Sequence, residues 1–552
     1  MPPATGTAGT RAAGVRPAAA AAWPLRSGTV IAVAAMLGLG LRVFQLTRPG
    51  YLTGFTQYDD GVYIGNALRL VDGVIPYRDF AMVQPPGSML LMVPAALGGK
   101  VFGSAWALAA ARVLTIGADT ANVVLAGLLV RHRGPLAAGL ASGVYAVYPA
   151  AATASSSLFL EPWLNLFCLL GAVLLFDGGR IRGLDGGARW GTFWAGACFG
   201  FAASIKIWAV IPALVAWALC LLARRGRVWF AGGFAAGIAV PCLPFLALAP
   251  SGFGRTVFFS ELVQATHGRV GANPRVADIT GITGLSSVGV DPHIWAGLTA
   301  AGALVLLVAA AWLRDRKGGS ALDWYALVTT ITVTGMLFSP SEWYEHYAAF
   351  AAPFLVVLVA LSAARLFAPG QAGKSPPGRA RSGRWVRAAA AVVAVLAVAA
   401  MGAADGYAVT KLYPARDLSA ASALIPPGAC VLTDTASVTI VIDRFTAGAP
   451  GCPALVDAVG TLIATTDGRD FVTGPAGLAA DTRAWQVAFS HAEYVWLIGN
   501  NGYTGARIAW TPALHAYFTT HFRLIGLPGS FRGLGNVPGG GLYVRTSPPP
   551  AH

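Results

Sequence analysis

The amino-acid sequence predicts a polytopic α-helical membrane protein with a small α/β domain at its C-terminal end. Of its 552 residues, 55% are hydrophobic and 11% are charged. A spanning helix needs roughly 20 predominantly apolar residues, and about eleven such stretches occur between residues 27 and 408. From about residue 411 the composition becomes polar, with short alternating segments among Gly- and Pro-rich turns, which is typical of a soluble domain.

The basic residues predict how the chain is oriented in the membrane. The net charge of +15 comes from short Lys/Arg clusters between apolar segments, a pattern of cytoplasmic loops rather than of nucleic-acid binding. The spans that place these clusters inside lie near 28–45, 108–130, 135–152, 160–176, 191–205, 208–222, 228–248, 293–313, 321–338, 348–367 and 388–408. The N-terminus is then cytoplasmic and the C-terminal domain extracytoplasmic.

This topology divides the chain into three regions. Residues 1–26 form an Ala/Pro/Gly-rich leader that we expect to be disordered and cytoplasmic. Residues 27–410 form the membrane domain, whose first external loop, 46–107, carries interfacial helices. In that loop, residues 87–102 are apolar, but a crossing by them would move every later loop to the opposite side of the membrane. We therefore expect them to lie in the outer leaflet. Residues 411–552 form the extracytoplasmic domain, where Cys430 and Cys452 can pair as a disulfide.

The acidic pair Asp59-Asp60 follows the first apolar segment of a chain that has only 24 Asp and Glu. Carboxylates near a bilayer are costly unless they have a function or a partner. A helix beginning here places Tyr63 and Asn66 on the same face as Asp59, with apolar residues opposite, and so predicts an amphipathic helix along the membrane surface. The pair can then act as a general base toward a hydroxyl group, or it can be an N-terminal helix cap.

Other polar residues fall on the same predicted side of the membrane and indicate a shared site. They are Glu161, Lys206, Glu261, His267, Arg269, Glu342, Glu345 and His346. Each of these residues can also have a purely structural role. Lys206 can extend its ammonium to the membrane interface, Glu161 can begin a helix, and the aromatic residues around Tyr344 can form an interfacial belt. The loop 249–292 is long and lacks a strong period, which is typical of a lid or a binding loop.

The order of these motifs resembles the GT-C membrane glycosyltransferases, and in particular glycosyltransferase family 39, the protein mannosyltransferases and aminoarabinose transferases. The motifs are Asp59-Asp60, PYRDF at 76–80, Gln84-Pro85-Pro86, Arg112, Glu161-Pro162 and Lys206. The resemblance covers residues from about 28 to 365. It implies a polyprenyl-phosphate sugar donor, an extracytoplasmic glycan, lipid or protein acceptor, inversion at the sugar, and no metal or other cofactor.

The resemblance also implies roles for individual residues. Asp59 is the expected base, and Asp60 and Glu161 orient it or bind acceptor hydroxyls. Arg112, Lys206 and Arg269 hold the donor phosphate, where fixed cations stabilise the charge of the leaving group. The expected sugar contacts are Tyr63, Asn66, His267, Tyr344 and His346.

The sugar and the function class stay open at the level of sequence. Polyprenyl-phosphate mannose is the first choice of donor, and polyprenyl-phosphate arabinofuranose is the second because membrane arabinosyltransferases also carry an Asp-Asp pair in this loop. The alternatives are a transporter or flippase of a lipid-linked saccharide and a non-catalytic protein of envelope assembly. The sequence shows no evident inverted repeat of the kind many transporters have, which argues against transport.

Overall fold

The structure is a computed structural model that describes residues 22–183, 188–259, 270–289, 291, 293–314, 318–367, 377–416, 418–445, 451–465, 475–498, 507–526 and 538–547. Its helices before residue 412 are α1 (Ala22–Leu46), α2 (Tyr58–Val71), α3 (Gly87–Phe102), α4 (Ser104–Val130), α5 (Pro135–Ala146), α6 (Pro149–Ser155), α7 (Glu161–Leu175), α8 (Ala188–Ile205), α9 (Val210–Leu222), α10 (Arg227–Leu248), α11 (Pro250–Phe253), α12 (Ala272–Thr280), α13 (Ile294–Arg314), α14 (Ala321–Met336), α15 (Ala352–Leu366) and α16 (Pro377–Lys411). A helix therefore coincides with each segment that the sequence predicts to span the membrane.

The lengths of these helices differ more than the sequence suggests. Among the described residues, five helices are long and apolar enough to cross a membrane alone, or six if the pair α5 and α6, bent by 54°, is one span. Shorter apolar helices include α3, α7 and α15. Glu161 begins α7, and Lys206, with extended backbone, interrupts the chain after α8. A polar residue thus stands at the start of α7 and directly after the end of α8. The number of membrane crossings stays a prediction.

Charged residues between the long helices are paired. Arg42 of α1 donates from Nε to Asp119 Oδ2 of α4 at 2.5 Å, and both side chains are almost completely buried. Tyr145 of α5 donates to the other oxygen of Asp119 at 2.9 Å. Because an unpaired charge in a bilayer is expensive, this network holds three helices in one arrangement.

The C-terminal region contains a four-stranded sheet flanked by helices. Its strands are β3 (Val431–Thr433), β4 (Tyr494–Leu497), β5 (Phe522–Gly526) and β6 (Gly541–Arg545), which follow a two-residue hairpin β1 (Phe176–Asp177) and β2 (Arg180–Ile181). The order is β3-β4-β6-β5, with β3 parallel to β4 and the other pairs antiparallel. The helices are α17 (Ser419–Ser422), α18 (Ala436–Ile440), α19 (Ala458–Thr465), α20 (Pro475–His491) and α21 (Pro512–His521). Cys430 and Cys452 form the disulfide that the sequence suggests.

Helix α2 differs from the predicted surface helix because protein covers it on almost every side. Its residues from Asp60 to Arg69 are buried except Tyr63. The C-terminal region supplies the cover: Ser437 of α18 lies so close that a Cβ on Gly61 would be 2.1 Å from its backbone nitrogen. Glycine at 61 thus permits a contact that connects residues far apart in the sequence, and hydrophobic periodicity alone could not have revealed it.

Two smaller expectations also change. The leader lies outside the described residues up to position 21, but residues 22–26 already belong to α1, so the helix begins earlier than predicted. The loop 249–292 is not without structure, since it contains α12 and a 3₁₀ helix at Ile282–Val288. Helix α3 packs between α2 and α4, and whether it spans or lies at the interface stays a prediction.

Candidate active site

Asp60 is held by a complete set of hydrogen bonds. Its Oδ2 accepts from Arg112 Nη2 at 2.5 Å and from Thr56 Oγ1 at 2.8 Å. Its Oδ1 accepts from Ser157 Oγ and from the backbone nitrogen of Leu158 at 2.8 Å. Burial alone would raise the pKa of Asp60, but the Arg112 guanidinium and these donors lower it below its usual value. Asp60 is therefore a fixed, ionised anchor rather than a group ready to accept a proton.

Arg112 is surrounded by acceptor atoms of the protein. Its Nη1 donates to the carbonyl oxygens of Tyr51 and Leu52, both at 2.9 Å, and of Gly54 at 3.1 Å. Its Nη2 is occupied by Asp60, and the side chain is 0% exposed. Arg112 thus connects the loop after α1 to the start of α2, and its predicted role in phosphate binding stays a prediction.

We expect Arg112→Met to lower thermal stability sharply. The substitution leaves the buried Asp60 carboxylate without its cation, and breaking a buried ion pair on one side costs about 3–5 kcal/mol. Thermal unfolding of the purified protein in detergent measures the effect. The double variant Arg112→Met/Asp60→Asn should recover part of the loss, whereas a native unfolding temperature for the single variant would contradict the structural role.

Asp59, the neighbour of Asp60, has a carboxylate that no described residue hydrogen-bonds. It does not cap the helix either, because the N-cap position of α2 is Gln57, which makes no side-chain cap. Asp59 is enclosed by protein yet partly open to solvent. Burial and the carboxylates of Asp457, Asp60 and Glu161 raise the pKa of Asp59 to about 7, against an opposing effect of Lys206. A carboxylate with this pKa can take up and release a proton near neutral pH.

The ammonium of Lys206 lies near Asp59 and is held by three side chains. Its Nζ is 3.3 Å from Glu161 Oε1, 3.4 Å from the centre of the Trp208 ring and 4.3 Å from that of Tyr347. Lys206 is 4% exposed, and Oε2 of Glu161 is buried without a hydrogen-bond partner among the described residues. The charge of Lys206 is therefore fixed in position, and its ammonium has further N–H donors for an anion.

Aromatic side chains line one side of the site. The His346 ring stacks on Phe159 with 3.8 Å between centres and on Tyr344 with 5.7 Å. Tyr344 is 36% exposed and donates its hydroxyl to Glu342 at 3.0 Å. This exposed ring and the stacked rings behind it offer a flat surface of the kind that packs against a sugar.

Helix α2 carries two further predicted sugar contacts, Tyr63 and Asn66. The Tyr63 hydroxyl lies close enough to Asp59 and Glu161 to be influenced by their charges. Asn66 is 2% exposed, and its Oδ1 has no partner among the described residues. Asp59, Glu161, Lys206, Tyr63, Tyr344 and His346 thus come together, whereas Glu261, His267 and Arg269 lie outside the described residues.

Two residues near Asp59 were missed in the sequence. Asp457 accepts a hydrogen bond from the Tyr58 hydroxyl at 2.6 Å. The guanidinium carbon of Arg507 lies over the same Tyr58 ring, 4.3 Å from its centre. Both belong to the C-terminal region, about which the sequence could say only that it forms a separate domain. No short motif marks either residue, so only the tertiary structure could identify them.

No group of three or more His, Cys, Asp or Glu side chains that could hold a metal ion occurs in the part of the chain that the structure describes. Two carboxylates of the site are paired with cations, Asp60 with Arg112 and Glu161 with Lys206. The expectation of metal-independent chemistry stays a prediction.

Comparison with known proteins relates part of this chain to a family of glycosyltransferases. Residues 83–340 match the sequence profile of glycosyltransferase family 87. No curated protein sequence matches the chain. The matched residues are just under half of the chain, and the profile is that of a glycosyltransferase family, in agreement with the predicted activity. The profile is that of family 87, whereas the sequence motifs resemble family 39.

Solved structures share the fold at low sequence identity. ArnT from Cupriavidus metallidurans bound to undecaprenyl phosphate aligns with a TM-score of 0.50 and 15% identity, over 77% of this chain and 85% of that one. The archaeal oligosaccharyltransferase AglB from Archaeoglobus fulgidus, in complex with an inhibitory peptide and a dolichol-phosphate, aligns with a TM-score of 0.50 and 15% identity, over 85% of this chain and 69% of that one. At this identity the alignments show a common fold.

Proposed function

We propose that this chain is a membrane glycosyltransferase of the GT-C superfamily, which the family 87 profile and the shared fold support. In this proposal it transfers a sugar from a polyprenyl-phosphate donor to a hydroxyl group of an extracytoplasmic acceptor, with Asp59 as the general base. The observation that carries the proposal is the contrast within the acidic pair. Asp60 is fully hydrogen-bonded, while Asp59 has no hydrogen-bond partner among the described residues and has a pKa near 7. The two carboxylates thus have different tasks.

The proposed reaction assigns one step to each group. Asp59 removes the proton from the acceptor hydroxyl as its oxygen attacks C1 of the donor sugar. The bond between C1 and the phosphate oxygen breaks, and the sugar is transferred with inversion. Lys206 stabilises the negative charge that develops on the departing polyprenyl phosphate. Glu161 positions Lys206, and this role replaces the direct catalytic role that the sequence suggests for it.

The choice of donor has two supports. The two solved structures described above each contain a polyprenyl phosphate: undecaprenyl phosphate in ArnT and dolichol-phosphate in AglB. The site itself combines one fixed cation with an aromatic surface, which suits a phosphate attached to a sugar. We keep polyprenyl-phosphate mannose as the first choice of sugar and the arabinofuranose donor as the second.

The experiment is a donor panel with purified protein in lipid nanodiscs. Each radiolabelled polyprenyl-phosphate sugar is supplied with an extract of membrane glycolipids as acceptor, and both transferred label and released polyprenyl phosphate are measured. We expect consumption of one of the two donors. The same protein is also reconstituted in sealed vesicles, where movement of intact donor across the bilayer without release of polyprenyl phosphate would contradict an enzyme and support the transporter alternative.

Transfer should increase with pH through about pH 7. A general base acts in its ionised form, and the pKa of Asp59 is raised to about 7. The rate of transfer under saturating donor should therefore fall tenfold per pH unit well below that pKa and level off above it. A rate that is already constant at pH 5 would contradict Asp59 as the base.

A further inference from the structure

The C-terminal domain is attached directly to the first turn of α2. Ser437 Oγ donates to the carbonyl oxygen of Gln57 at 2.7 Å and accepts from the backbone nitrogen of Gly61 at 2.8 Å. Tyr58, which precedes Asp59, donates to Asp457 at 2.6 Å. These bonds lie on both sides of Asp59 in the sequence. The domain therefore forms part of the wall around the proposed base.

Arg507, another residue of the C-terminal domain, lies beside Tyr58 and uses only part of its guanidinium in contacts with the described residues. Its Cζ lies 4.3 Å from the centre of the Tyr58 ring, and its Nη1 donates to Thr435 Oγ1. None of the described residues hydrogen-bonds its Nη2 or Nε. The side chain is only partly buried. A guanidinium has five N–H donors in a planar fork, so Arg507 retains donors for a ligand.

Tyr344, in the segment between α14 and α15, lies within electrostatic range of Arg507 and Asp59. Its ring is 36% exposed. Arg507, Asp59 and Tyr344 come from three separate segments of the chain, and together they offer N–H donors, a carboxylate and an aromatic face.

The charges around Asp59 and Arg507 favour a neutral ligand. The carboxylates of Asp457, Asp59 and Glu161 all act on the same region. Lys206 is engaged by Glu161, and Asp457 lies within electrostatic range of Arg507. An acidic sugar would be repelled by the carboxylates, whereas adjacent hydroxyl groups can accept from the Arg507 fork and donate to a carboxylate.

We propose that Arg507 binds adjacent hydroxyl groups of a neutral saccharide acceptor, so that the C-terminal domain completes the acceptor subsite beside Asp59. The inference rests on the proposed function where it identifies the saccharide as the acceptor of the transfer. Binding of a neutral sugar by Arg507 does not itself require turnover. The alternative is that Arg507 only joins Tyr58 to Thr435, in which case its removal affects stability and not sugar binding.

Saturation-transfer NMR on the full chain in nanodiscs tests the proposal without any donor. The probe is methyl α-D-mannopyranoside, and methyl β-D-glucuronide is its anionic counterpart. We expect the mannoside to bind the native protein, and Arg507→Gln to weaken that binding at least about tenfold, because a charge-assisted hydrogen bond to the ligand is lost. Arg507→Lys keeps the positive charge but lacks the planar guanidinium, so it should weaken binding to a smaller extent. It replaces Arg507→Gln in the test if that variant does not fold.

The matched control is Arg523→Gln, which makes the same change at an exposed position of β5 and should bind like the native protein. Equal binding by native and folded Arg507 variants would overturn the proposal, as would absence of mannoside binding to the native protein or binding of the glucuronide alone. If the mannoside binds through Arg507 while no donor is consumed in the donor panel, the proposed function fails and the subsite stands.

Discussion

Asp59→Asn is expected to reduce sugar transfer by about 10²- to 10⁴-fold while leaving donor affinity unchanged, because an amide cannot accept the proton of the acceptor hydroxyl. The substitution removes no hydrogen bond to a described residue. Stability should not fall either. The folded-state pKa of Asp59 is raised above its ordinary value, so ionisation of this group costs stability as the pH rises through about 7. The variant should therefore unfold at the native temperature or slightly above it at pH 8.

The matched control is Asp72→Asn, which changes a partly exposed carboxylate just after the same helix, paired with Lys100 at 3.3 Å. A surface pair of this kind contributes little, so transfer and unfolding should stay native. Transfer by Asp59→Asn at the native rate would contradict the assignment of the base, and a loss of donor binding would indicate a role in donor binding instead.

Lys206→Met is expected to lower the rate of transfer by about 10²- to 10³-fold, because the developing charge on the leaving phosphate loses its fixed cation. Methionine keeps most of the volume of lysine between Trp208 and Tyr347. The change also leaves the buried Glu161 carboxylate unpaired, so the single variant should be less stable than the native protein. Transfer and thermal unfolding are measured on the same preparation.

The double variant Lys206→Met/Glu161→Gln separates the two effects. Removing both charges should restore most of the stability, since no unpaired buried ion remains, but it should not restore transfer. If the stabilised double variant transferred sugar at the native rate, Lys206 would be a structural partner of Glu161 and not a contact of the donor phosphate.

The helices could be predicted because each one depends on local composition. A run of apolar residues is sufficient to locate α4, α10 or α13, and the basic clusters mark where such runs end. The cover on α2 could not be predicted in this way. It depends on Gly61 meeting Ser437, a contact between residues 376 positions apart, and hydrophobic patterns report only neighbours along the chain.

The candidate site shows the same limit. The sequence singled out Asp59-Asp60, Glu161 and Lys206 because charge is rare in this chain and costly near a bilayer. It could not distinguish Asp59 from Asp60, since that difference depends on Arg112, Ser157 and Leu158 surrounding only one of them. For the same reason Arg112 was assigned to the donor, although its hydrogen bonds go to the loop after α1.

A single-turnover transfer assay tests the division of tasks within the acidic pair most directly. It compares the native protein, Asp59→Asn and Asp60→Asn, and each rate is normalised to the folded fraction of that protein. We expect Asp60→Asn to unfold at a lower temperature, because Arg112 loses its partner, and its folded fraction to retain transfer. Asp59→Asn should remain folded and lose transfer. The opposite result, a stable Asp60→Asn without transfer beside an active Asp59→Asn, would contradict Asp59 as the base.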